Sequence, residues 1–67
     1  MKNYVRELRR QKSITQNELA LRMKVSRQTI NAIETNRYLP SLTLALKLSD
    51  FFDLTVNEIF ELDESAD

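Results

Sequence analysis

The chain of 67 residues has no cysteine, no histidine, no glycine and no tryptophan, and a single proline. Without cysteine there is no disulfide staple and no thiolate metal site. Without histidine as well, a zinc site or imidazole-based catalysis is not expected. Without glycine there is no phosphate-cradling loop, and every left-handed backbone position must be filled by a residue that carries a Cβ. No converging acid pair stands out either, so the chain reads as a non-enzyme that needs no cofactor and no metal. No apolar run approaches the ~20 residues of a membrane span. The N-terminal MKNYVRELRRQ is charged where a secretion signal needs an apolar stretch. A cysteine-free chain suits a reducing cytoplasm, the expected location.

Net charge is lacking too: ten basic residues balance ten acidic ones. The balance conceals a split. Residues 1–40 carry nine Lys and Arg against three acids, whereas residues 41–67 carry one Lys against seven acids. A polyanion is drawn to the first half and repelled by the second, which would orient the domain on a duplex. The alternative is a chance segregation of charge.

What is present centres on Thr15 to Asn36. Thr15 and Glu18 form a capping box, the hydroxyl accepting the Glu18 amide while the carboxylate accepts the Thr15 amide. Leu19, Ala20 and Met23 then mark one buried helical face. Lys24 and Val25 follow, and Ser26 caps a second helix, residues 27–35, with Ile30 and Ile33 facing inward. A link of about three residues forces two helices to cross steeply, as in a helix-turn-helix. The outward set of the second helix is Arg27, Gln28 and Asn31. Arg reads guanine and Gln or Asn reads adenine at the base edges of the major groove. The competing reading is an ordinary solvated face, although Glu, Lys and Ala make better helices.

These residues carry a resemblance. Gln16, Glu18-Leu19-Ala20, Val25-Ser26, Ile30, Ile33-Glu34, Asn36 and Pro40-Ser41 resemble the Cro and phage-repressor class of helix-turn-helix DNA-binding domains, the xenobiotic-response-element family. The likeness extends more loosely over Met1 to Leu62. It implies an all-α fold of five helices, lambda-repressor-like, DNA binding and a homodimer. It also implies a phosphate contact at Gln16 (against a plain solvated glutamine), a pairing of Arg9 with Glu34, and a loop at residues 36–38 lying along the DNA backbone. Asn36, Arg37 and Tyr38 would then face phosphates, with packing of the Tyr38 ring in the core as the alternative. The chain departs from the class at Lys24, where many members have glycine in a left-handed turn. Asn36 is the next-best residue after glycine for such a conformation.

In chain order, Lys2 to Gln11 reads as the first helix, with Val5 and Leu8 inward. Arg10 and Lys12 near its end suit the helix dipole and are also candidates for phosphate contact. Ile14 can staple onto Leu19. Pro40 ends the loop. Ser41 caps a fourth helix, Leu42 to Phe52, whose Leu44, Ala45, Leu48, Phe51 and Phe52 fill the apolar layer. Thr55 and Glu58 make a second capping box for a short fifth helix. Val56, Ile59, Phe60 and Leu62 are many apolar residues for such a segment. A helix of about seven residues has one inward stripe, for which Val56 and Ile59 suffice, so Phe60 or Leu62 is left outside and the region of Ile59, Phe60 and Leu62 is the candidate dimer face, unless Phe60 and Leu62 fold back onto the first helix. Residues 1–62 form the domain, and 63–67 read as an acidic, frayed tail.

The expected function is a homodimeric repressor of transcription, reading a near-palindromic duplex with helix 27–35. One alternative keeps DNA binding and adds a protein partner, as in an antitoxin or antirepressor with a docking surface in its acidic half. Another is a helical protein-interaction module that never touches DNA.

Overall fold

The computed structural model describes residues 1–63 as five helices and a two-residue antiparallel ladder. The helices are α1 (Val5–Gln11), α2 (Gln16–Met23), α3 (Arg27–Glu34), α4 (Leu42–Phe52) and α5 (Val56–Ile59). The strands are β1 (Lys2–Asn3) and β2 (Phe60–Glu61). The fold is all-α apart from this ladder.

Four helices begin on a side chain that accepts an orphan amide. Thr15 and Thr55 form complete capping boxes with Glu18 and Glu58, and Ser26 and Ser41 accept from Thr29 and Leu44. The exception is α1, whose cap residue Tyr4 makes no side-chain capping bond. Its first amide, that of Val5, donates instead to Asn3 Oδ1 at 3.2 Å, and tertiary contacts fix the approach to it. The Tyr4 amide donates to the Ile59 carbonyl at 3.0 Å, and Lys2 and Asn3 pair with Glu61 and Phe60.

That pairing corrects two expectations. The first helix does not reach back to Lys2, because Lys2 and Asn3 are extended in the ladder. The fifth helix stops at Ile59, and Phe60 turns extended to join β1. Ile59 and Phe60 are consequently buried, at 0% and 8% exposure, and cannot form a dimer face. Leu62 remains outside at 77%. Of the expected acidic tail, Asp63 accepts a hydrogen bond from the Met1 amino group; residues 64–67 lie outside the described residues.

The core gathers one or more residues from every helix: Val5, Leu19, Met23, Ile30, Ile33, Leu48, Phe52 and Ile59 among them. Phe51 sits at its edge rather than within it, with its ring 5.1 Å from that of Phe52. Among the described residues, four take left-handed backbone: Ser13, Lys24, Asn36 and Asp53. Lys24 and Asn36 occupy the expected positions. Ser13 and Asp53 close α1 and α4 in the same way, each without glycine's steric relief. Among the described residues, no helix is long and apolar enough to cross a membrane.

Candidate nucleic-acid interface

α2 and α3 are joined by three residues, Lys24 to Ser26, so that the end of one helix feeds directly into the start of the other. Ile30 and Ile33 seal the inner side of α3 at 0% and 1% exposure. Arg27, Gln28 and Asn31 lie on its exposed side. The same amphipathic pattern that buries the helix thus puts these three in solvent.

Beside them opens a cleft of about 740 Å³, lined by Arg6 and Arg10 of α1, Thr15, the first-turn residues Gln16 and Asn17 of α2, and Arg27 of α3. It is an electropositive surface made where three helices converge. Lys12 does not line it. Its ammonium stands 5.5 Å from the centre of the Phe51 ring, and the Arg22 guanidinium is 5.9 Å from the same ring.

The interface is braced from within by Glu34, whose side chain is fully buried. Arg9 Nε donates to Glu34 Oε2 at 2.8 Å and Arg9 Nη2 to Oε1 at 3.2 Å. Arg9 Nη1 donates to the Ile14 carbonyl at 2.9 Å, fixing the link into α2. Arg6 Nε approaches Oε1 at 3.4 Å and Gln16 Nε2 donates to it at 3.0 Å. Burial raises the Glu34 carboxyl, but hydrogen bonds from Arg9, Gln16 and Arg6 with the Arg9 charge outweigh it and hold the group below its ordinary value. The bond to Glu34 raises Arg9 in turn.

Gln16 is placed differently from the expectation of a free phosphate donor. Its Nε2 donates to Glu34 and also to Asn31 Oδ1 at 3.1 Å, which uses both amide protons inside the chain. What this corner offers an anion is therefore the start of α2 with Arg6 and Arg10. Asn36 is tied back in a complementary way. Asn3 Nδ2 donates to the Ile33 carbonyl and to Asn36 Oδ1, which leaves the Asn36 nitrogen as its donor to solvent. Arg37 and Tyr38 are both exposed, and the Tyr38 ring is not in the core.

Arg6, Asn3 and Asn17 join the site without having been singled out in the sequence. Arg6 had a signal, lying one helical turn before Arg9 on the same face. Asn3 had none, because its role depends on leaving the helix.

The helix-turn-helix family matches residues 5–59, from the start of α1 to the end of α5. An uncharacterized HTH-type transcriptional regulator of Methanocaldococcus jannaschii is 47% identical over 60 residues, covering 90% of this chain and 91% of that protein. The Bacillus subtilis HTH-type regulator YgzD is 44% identical over 64 residues, covering 96% and 97%. A third, from Methanothermobacter thermautotrophicus, is 45% identical over 67 residues, covering 98% and 97%. With its five helices and tight α2–α3 corner, the chain belongs to the Cro and phage-repressor class of helix-turn-helix transcriptional regulators, a class of DNA-binding proteins rather than enzymes.

Proposed function

We propose that this protein is a homodimeric, sequence-specific repressor in the cytoplasm that lays α3 in the major groove of a near-palindromic operator. The observation that carries this is one helix, α3, with Ile30 and Ile33 buried and Arg27, Gln28 and Asn31 exposed beside an arginine-lined cleft. Arg10, Arg37, Asn36 and Tyr38 meet phosphates and set the register, contributing affinity without sequence information. Arg6 and the first turn of α2 add to this set, while Gln16 serves it from behind. Arg27, Gln28 and Asn31 read base edges.

An eight-residue recognition helix spans few base pairs, so a two-fold pair of copies, with half-sites about 34 Å apart, supplies the rest of the site. With Ile59 and Phe60 withdrawn, the leucines exposed among the described residues are Leu21 on α2, alone at 71%, and a set of Leu39, Leu42 and Leu46, 66%, 75% and 54% exposed, together with Leu62. Leu42 and Leu46 stand one turn apart on α4, and a second copy of the chain is the occupant this leucine pair suits.

Fluorescence anisotropy with a labelled duplex, titrated at rising salt, tests the DNA reading. Tight binding that weakens steeply with salt supports it. Failure to bind any duplex at low salt removes it in favour of a protein-interaction module.

A further inference from the structure

The amide of Gln16 sits between a buried carboxylate and a residue on the exposed side of α3. Its partners fix its orientation. The two ends of a glutamine or asparagine amide have nearly the same shape, and only their hydrogen bonds distinguish them. Glu34 is held ionised between Arg9, Arg6 and Gln16, and an ionised carboxylate only accepts. The end of Gln16 turned toward Glu34 must therefore be the nitrogen. The second proton of that nitrogen goes to Asn31, and a donor can meet only the Asn31 oxygen.

Resting on the base-reading role of α3 given above, we propose that Gln16 is a positioning residue that fixes the hydrogen-bond polarity of Asn31, so that Asn31 offers the groove its N–H groups and selects guanine rather than adenine. A free asparagine pairs with adenine through both ends, the oxygen accepting from N6 and the nitrogen donating to N7. That pairing needs both ends turned toward the base. Here the oxygen is turned back to α2, and the nitrogen donates to nothing among the described residues. Guanine presents two neighbouring acceptors, O6 and N7, which suit an NH₂ group; adenine places a donor where guanine has O6. The chemistry of Glu34, a residue that never meets the duplex, is thereby transmitted through one amide to a base preference.

Selection from randomised duplexes with the wild-type chain, Asn31→Ala, Gln16→Met and Gln16→Lys tests this. Asn31→Ala identifies the base pair that residue 31 reads, by loss of preference there alone. At that pair the wild type selects guanine over adenine by about tenfold or more, the order of a good base contact. Gln16→Met keeps the side-chain length but gives no proton, so Asn31 is free to turn and the ratio falls toward parity at that pair. Gln16→Lys restores a donor and the guanine preference. Adenine preferred by the wild type at the Asn31-dependent pair overturns the proposal, as does an unchanged Gln16→Met profile or an Asn31→Ala profile identical to wild type. If Gln16→Met fails to fold, the wild-type and Asn31→Ala profiles alone decide. Enrichment of no sequence by any of the four proteins is a different failure, that of the DNA reading itself.

Discussion

Arg9 and Glu34 meet in parallel, Nε to Oε2 at 2.8 Å and Nη2 to Oε1 at 3.2 Å, and this pair joins the first helix to the end of the recognition helix. The Arg9 side chain is 11% exposed and that of Glu34 is buried. Two charges removed from water are costly apart and tolerable together. The pair therefore fixes where α3 sits relative to the arginines of α1, and so links stability to the surface proposed to face DNA.

Glu34→Ala strands Arg9 and is expected to cost about 3–5 kcal/mol. Glu18→Ala removes half of an exposed capping box and costs about 0.5–2 kcal/mol. Thermal unfolding of both variants checks this, and equal midpoints contradict it. The pH dependence has a definite sign. Because the folded-state value of Glu34 lies below its ordinary 4.5, its contribution is complete above that pH and is lost as the pH falls below it toward the folded value. Glu34→Gln imitates the protonated acid, so its deficit relative to wild type narrows on acidification.

Lys24 is left-handed at φ 61° and ψ 42°, and it is exposed. A residue with a Cβ costs roughly 1 kcal/mol there, against which glycine's greater freedom in the unfolded chain must be set. Lys24→Gly is expected to leave the melting temperature level or raise it. A clear fall contradicts the assigned strain.

Arg37 is assigned to the backbone of the duplex rather than to a base. Arg37→Ala should weaken selected and scrambled duplexes alike and lower the slope of log K against log salt by about 0.9, the value for one phosphate. A loss confined to the selected duplex would move Arg37 among the base readers.

The leucine face gives a separate outcome. Leu42→Asp and Leu46→Asp should shift sedimentation from dimer to monomer and leave the fold intact, since both residues are exposed. Leu62→Asp tests the one member of the terminal set that stays outside. An unchanged dimer in all three variants refutes these surfaces.

The features legible in the sequence were the local ones. Thr15 with Glu18, Ser26, Ser41 and Thr55 with Glu58 act within one turn of chain, so each cap could be read from neighbouring residues. Lys24 was legible only through the resemblance, because many members of the class have a left-handed glycine there, and Asn36 because asparagine is the next-best left-handed cap after glycine. The pairing of Lys2–Asn3 with Phe60–Glu61 was not, because its two halves lie at opposite ends of the chain and neither two-residue strand shows a period. That one missed pairing accounts for the overlong first and fifth helices and for offering the Ile59–Phe60 segment as part of a dimer face. At the site, Arg27, Gln28 and Asn31 were legible as an outward set from helical spacing. The inward use of Gln16 was not, since periodicity shows which side of a helix a residue lies on but not where its protons go.

The most direct measurement is selection of duplexes from a random pool by the wild-type chain and by Gln28→Ala. The predicted result is a near-palindrome with two half-sites one helical turn apart, in which Gln28→Ala loses preference at one base pair per half-site, worth about 1–3 kcal/mol, and keeps the others. A pool that enriches no common sequence, or a Gln28→Ala profile identical to that of the wild type, would contradict base reading by α3.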